Sequence, residues 1–118
     1  MSAIGGQDTE GATPKLEGGP GLYPIALKLE LRSCLVVGGG TIAVHKTREL
    51  LHCGAFVHVI AEEWLAELGG IEAHPRLTRS TRPFRSKDLD DVFLVIAATD
   101  NAATQVHVAR SAEEQGIL

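Results

Sequence analysis

The chain has 118 residues, enough for one small domain. Its formal charge of −4 stands against the basic excess by which proteins hold a phosphate backbone, and no apolar run approaches the roughly 18–20 residues needed to cross a bilayer. Aromatic residues are only 4% against 44% hydrophobic, so the core must come from Val, Ile, Leu and Ala. Such a core favours helices packed on a buried sheet.

Residues 1–22 are rich in Gly, Thr, Asp and Glu, and Glu17-Gly-Gly-Pro-Gly21 cannot sustain a helix or strand. They read as a mobile tail, with one domain over 23–118. The first twenty residues have neither a basic start nor an apolar stretch, so they do not read as a secretory leader. The folded part opens near Tyr23-Pro24. Arg32 to Val37 reads as a buried strand, followed by Gly38, Gly39 and Gly40. Thr41 to His52 reads as a helix with Ala43, Thr47, Leu50 and Leu51 on its inner side and Gly54 as its stop. Phe56 to Ile60 is a second strand. Glu62 to Leu68 reads as a short helix with Trp64, Leu65 and Leu68 inward, ended by Gly69-Gly70. Leu77 to Thr81 is a weaker strand and Phe93 to Ala98 a strong buried one. Asn101 to Gln115 is a last helix, with Ala102, Val106, Ala109 and Ala112 expected inward, and Gly116 stops it. Ile117-Leu118 look like the opening of another strand. Strands alternating with helices imply an α/β, Rossmann-type parallel sheet with flanking helices, incomplete at the C-terminus.

The segment Cys34-Leu-Val-Val-Gly-Gly-Gly-Thr-Ile-Ala43 fits G-x-G-x-x-A. Gly38 lets the chain turn off the strand, Gly40 leaves room for a pyrophosphate against the backbone, and Ala43 lets the helix pack close. The helix start then offers free N–H groups and partial positive charge to phosphates. The pattern follows a strand and opens a helix, which is the context that gives it meaning. It is not a P-loop, because the G-K-[ST] ending is absent. The expected cofactor contacts are Gly38, Gly39, Gly40, Thr41, Ile42 and Ala43. Glu62 and Glu63, after the second strand, add a carboxylate able to accept from ribose hydroxyls and to repel a 2′-phosphate, which favours NAD over NADP. They equally suit the start of a helix, where negative charge is welcome. Thr99 and Asp100, beyond the last strand, should lie near the cofactor at the switch point. Asp100 equally suits the cap of the last helix.

The remaining candidates read more plainly. Cys34 and Cys53 sit in apolar stretches and read as buried free thiols, which with the lack of a leader points to the cytoplasm. His45, His52, His58, His74 and His107 are scattered without ligand spacing, so no metal site is expected. Arg76, Arg79, Arg82, Arg85 and Lys87 read as the solvated charges of an edge strand, with attraction of a polyacidic ligand as the alternative.

Tyr23-Pro-Ile, Cys34-Leu-Val-Val-Gly-Gly-Gly-Thr-Ile-Ala-Val-His-Lys46, Leu50-Leu-His-Cys-Gly-Ala55 and Phe93-Leu-Val-Ile-Ala-Ala-Thr-Asp100 together resemble the N-terminal domain of siroheme synthase, from Tyr23 to Leu118. That resemblance implies an NAD-dependent oxidation of precorrin-2 to sirohydrochlorin, in some members followed by ferrous iron insertion. It also implies a homodimer holding the tetrapyrrole between this domain and later segments. The chain departs from the family pattern at His45, where Arg is usual, and at Glu62, where Pro usually follows Ala61. The resemblance puts the family's acid/base aspartate beyond Leu118, so no catalytic residue is assigned here. A second reading is a non-catalytic nucleotide-binding module.

Overall fold

A computed structural model describes residues 21–65, 67 and 70–118. The expected tail therefore lies almost wholly outside the described residues. Four strands form one parallel sheet: β1 (Ser33–Val37), β2 (Phe56–Ala61), β3 (Leu77–Thr81) and β4 (Leu94–Ala97), in the order β3-β2-β1-β4. Helix α1 (Thr41–His52) joins β1 to β2, and helix α2 (Ala102–Gln115) follows β4. The chain steps outward from β1 to β3 and then returns to the far side of β1. The sheet order thus reverses between β1 and β4, and that reversal opens a crevice at the carboxyl edge.

The alternation of side chains divides the core in two. Cys34, Val36, Val57 and Val59 pack with Ala43, Leu50 and Leu51 of α1. Leu35, Val37 and Ile60 pack on the other face with Phe84, Leu89, and Val108 and Ala112 of α2. Burial on both faces is why β1 is an unbroken apolar run. Each such fully buried aliphatic side chain contributes about 1.5–3 kcal/mol. Thr47, the polar residue of the inner face of α1, donates its hydroxyl to the Ala43 carbonyl at 2.8 Å, so its burial leaves no unpaired group.

Register then levels the strand ends. Val37 stands beside Ile60 and Ala97. The Gly38 N–H donates to the Ile60 carbonyl and the Ala98 N–H to the Val37 carbonyl, both at 2.8 Å. The segments starting at Gly38, Glu62 and Thr99 therefore leave the sheet side by side. Leu118 lies along the outer edge of β4, its carbonyl accepting from the Val95 N–H at 3.1 Å.

Several expectations need correction. Glu62–Leu65 and Glu67 are not helical. Three tertiary contacts hold this segment open: the Leu65 N–H donates to the Gly39 carbonyl at 2.8 Å, the Trp64 indole donates to the Thr81 hydroxyl at 2.8 Å, and the Arg79 guanidinium lies over the Trp64 ring. Trp64 is half-buried but Leu65 is 73% exposed; Leu68 and Gly69 lie outside the described residues. A one-turn 3₁₀ helix at Ile71–Ala73 stands further on. The inner face of α2 is Val108, Ser111 and Ala112, while Ala102, Val106 and Ala109 are exposed. The apolar count favoured the second set, but Leu35, Phe84 and Leu89 meet the helix on the first. β4 is half-buried rather than buried, because it stands at the edge of the sheet. Cys34 is buried as expected, whereas Cys53 is exposed at the end of α1. Burial, and then the neighbouring Cys53, push the Cys34 thiol above its usual range.

Candidate functional site

A cleft of about 560 Å³ opens at the carboxyl edge of the sheet. Its walls are Gly38 to Ile42, the Ala61-Glu62-Glu63 turn with Leu65, the Arg82 and Phe84 pair after β3, and Ala98 to Asn101 with Thr104. Nine of the ten residues expected at a cofactor site line this one cleft; Ala43 does not. It is buried under α1, which is the packing role its size suggested.

The three glycines do different work. Gly38 has φ of +142°, and a Cβ there would collide with the Ala98 carbonyl. It is the turn residue, and it lets β1 and β4 stay close at their ends. A Cβ on Gly39 would strike the Glu63 carbonyl oxygen, so this residue seats the turn after β2. Gly40 differs, because a Cβ there would meet nothing within 4 Å. Its φ of −96° and ψ of −170° suit any residue. Among the described residues no packing requires glycine at Gly40, which faces open space.

That space lies at the start of α1. Gly40 is the N-cap and supplies no side-chain cap, and the first turn holds no acidic residue. The first N–H groups of a helix have no acceptor within it, and here the residue type at the cap leaves them facing the cleft with the positive end of the helix dipole. This cradle fits a diphosphate. Ile42, 65% exposed at the same mouth, and Leu65 add apolar surface.

The carboxylates stand around it. Glu62 and Glu63 are exposed at the end of β2. Since the segment after them is not helical, their alternative role as a helix start falls away. Asp100 also lines the cleft. Its alternative role is taken by Asn101, whose side chain caps α2 by accepting from the Thr104 N–H at 3.0 Å. The Thr99 hydroxyl accepts from the Asn101 N–H at 3.1 Å, and its carbonyl accepts from the Gln105 amide.

Of the cleft residues not expected there, the charged one is Arg82. Arg82 was grouped with edge-strand charges, but it lines the cleft. It forks onto Asp88, with Nη1 to Oδ2 at 2.8 Å and Nη2 to Oδ1 at 2.7 Å. The signal was the Arg82…Asp88 spacing around Pro83 at the close of β3. Its neighbours in the run are also engaged: Arg76 donates to the Leu51 and Ala55 carbonyls, and Arg79 covers Trp64. Among the described residues no group of three or more His, Cys, Asp or Glu is placed to hold a metal ion, and no helix is long and apolar enough to cross a membrane.

A parallel sheet reversed at β1, a glycine turn into α1 and a cleft at the carboxyl edge, open at the start of that helix, define a Rossmann-type dinucleotide-binding domain. Residues 25–118 match the NAD_binding_7 family, described as "Putative NAD(P)-binding". The chain belongs to this family, and it is similar to a part of siroheme synthases. It is 41% identical to the siroheme synthase of Chromobacterium violaceum over 96 residues, covering 81% of this chain and 20% of that protein. The siroheme synthase of Acinetobacter baylyi is 39% identical over 98 residues, covering 82% and 21%. Among solved structures, SirC, a precorrin-2 dehydrogenase, matches with a TM-score of 0.68 and 36% identity over 75% of this chain and 44% of that one. The chain thus spans about a fifth of the length of these curated relatives.

Proposed function

We propose that this chain binds NAD as the dehydrogenase part of a siroheme-forming enzyme and serves the oxidation of precorrin-2 to sirohydrochlorin. The observation that carries the reading is Gly40: glycine stands where the chain itself has room for a side chain, at the bare start of α1. A diphosphate fills such a space and takes the N–H groups at the start of α1, at Thr41 and Ile42, as donors. Gly38 and Gly39 hold the loop in place for it. Glu62 or Glu63 accepts from the adenosine ribose hydroxyls, and the same charges repel a 2′-phosphate, which selects NAD over NADP. Thr99 and Asp100 close the far wall at the switch point. The bound nicotinamide supplies the hydride acceptor. The names of the relatives, siroheme synthase and precorrin-2 dehydrogenase, support a reduced tetrapyrrole as hydride donor.

Calorimetric titration with NAD and with NADP tests the reading. NAD should bind at least about tenfold tighter, a difference of about 1.4 kcal/mol. Equal or reversed affinities remove the role given to Glu62 and Glu63; no binding of either removes the cradle.

A further inference from the structure

Among the described residues that line the cleft, Arg82 is the one Lys or Arg, against three carboxylates at Glu62, Glu63 and Asp100. A cleft that takes an anionic dinucleotide thus has one cation in the described part of its wall. That cation is not presented freely. Both terminal nitrogens of Arg82 are spent on Asp88, and Nη1 also donates to the Pro83 carbonyl at 3.1 Å. Asp88 is itself held: its side chain is 6% exposed, it accepts from the Arg85 backbone N–H at 2.8 Å, and it sits in the 3₁₀ turn Ser86–Leu89 anchored by buried Leu89. Arg82 is rooted beside the acidic pair, since Ala61 is level with Thr81 and the Arg82 N–H donates to the Ala61 carbonyl at 3.0 Å. It therefore starts one strand away from Glu62.

We infer that Asp88 is a specificity-determining residue that withholds Arg82 from the cleft and so keeps a 2′-phosphorylated dinucleotide out. Bidentate carboxylate and phosphate recognition use the same guanidinium fork. Forked onto Asp88 and bonded to the Pro83 carbonyl, Arg82 has three of its five N–H donors engaged and its charge balanced by a fixed carboxylate, which leaves it a poor partner for a phosphate. With the charge of Arg82 already balanced by Asp88, a 2′-phosphate near the end of β2 meets Glu62 and Glu63 with little compensation. With Arg82 released, the same position holds a cation whose geometry suits phosphate. The selectivity of the site then comes from two devices, the acidic pair and the tie on the arginine. The second is invisible to a reading of the β2 terminus alone. This inference rests on the dinucleotide reading above.

The test is calorimetry with NAD, NADP and adenosine 2′,5′-bisphosphate on the chain and its variants. Asp88→Asn keeps the shape of the side chain while weakening the tie. It should lower the NAD-to-NADP affinity ratio by roughly tenfold or more and raise affinity for the bisphosphate. The double variant Asp88→Asn/Arg82→Gln should lose that gain. An unchanged ratio in a folded Asp88→Asn variant overturns the inference. So does a gain that survives in the double variant, since removal of negative charge would then explain it without the arginine. If Asp88→Asn fails to fold, Asp88→Glu, which keeps the charge and displaces the carboxylate by one methylene, should show a smaller gain of the same sign, and its absence overturns the inference equally. A parent chain that binds none of the three ligands speaks against the dinucleotide reading instead, so the two failures are distinguishable.

Discussion

Gly38 and Gly40 stand two residues apart in one loop and answer to different constraints. Gly38 is required by the fold: its φ is positive and the Ala98 carbonyl occupies the place of a Cβ. Gly38→Ala should destabilise the chain by about 1–3 kcal/mol, the cost of a strained backbone position at a close approach. Gly40 is in ordinary extended backbone with empty space around it. Gly40→Val should lower the midpoint of thermal unfolding only by the few degrees that a poorer N-cap costs and abolish NAD binding by calorimetry. If instead Gly40→Val unfolds the chain, Gly40 is a packing residue and the cradle loses its best support. Sequence pattern alone treats the two glycines as one motif. What separates them is the position of the β4 terminus, which only the pairing of Val37 with Ala97 reveals.

At the scale of elements, legibility followed how local the cause was. α1 runs over Thr41–His52 as its periodicity predicts, because three glycines before it and Gly54 after it bound it from within its own neighbourhood. β1 and β3 were legible for the same reason. Glu62–Leu65 was not, because its conformation is decided by Gly39, Thr81 and Arg79, which lie far along the chain. The face of α2 was not, because Ala102, Val106 and Ala109 are as apolar as the residues that are buried, and the choice belongs to Phe84 and Leu89. Of the site, the glycine loop, the acidic pair and the β4 end were visible as strand termini, whereas Arg82 needed its cross-loop partner. The cap of α2, for which Asp100 stood as the alternative to a cofactor role, is Asn101. Asn101→Ala should therefore cost about 1 kcal/mol of stability, the usual price of an N-cap side chain. In a domain of this size that lowers the midpoint of thermal unfolding by about 4–8 °C. Asp100→Ala should not produce that loss, and an equal loss in both variants would falsify the assignment of the cap.

For the molecule as a whole, the sheet couples stability to pH through His58. It lies half-buried in β2, its Nε2 2.8 Å from the Ser80 hydroxyl on β3. Desolvation, and then the Arg82 cation, push its pKa below the ordinary 6.5, with Asp88 opposing. The unfolded chain therefore takes up this proton at a higher pH than the folded one. Between the two pKa values the unfolded state binds more protons, so stability rises with pH across that window. The contribution is fully present above about pH 6.5 and is lost as pH falls through the folded value. Asp88 acts in a separate, more acidic window. Burial alone raises its carboxyl, but hydrogen bonds from Arg82 and the Arg85 backbone, with both guanidinium charges, bring it net below 3.8. Its stabilisation is present above that value and disappears as pH falls through the folded one. Denaturant unfolding of the chain at a series of pH values should thus show a decline starting near pH 6.5 and a second one starting near pH 4. His58→Gln, which preserves a partner for Ser80, should flatten the first decline and leave the second; Asp88→Asn should flatten the second. A first decline of unchanged slope in His58→Gln would show that the proton is taken up elsewhere, and that the strand pair β2–β3 carries no titrating group that matters to the fold.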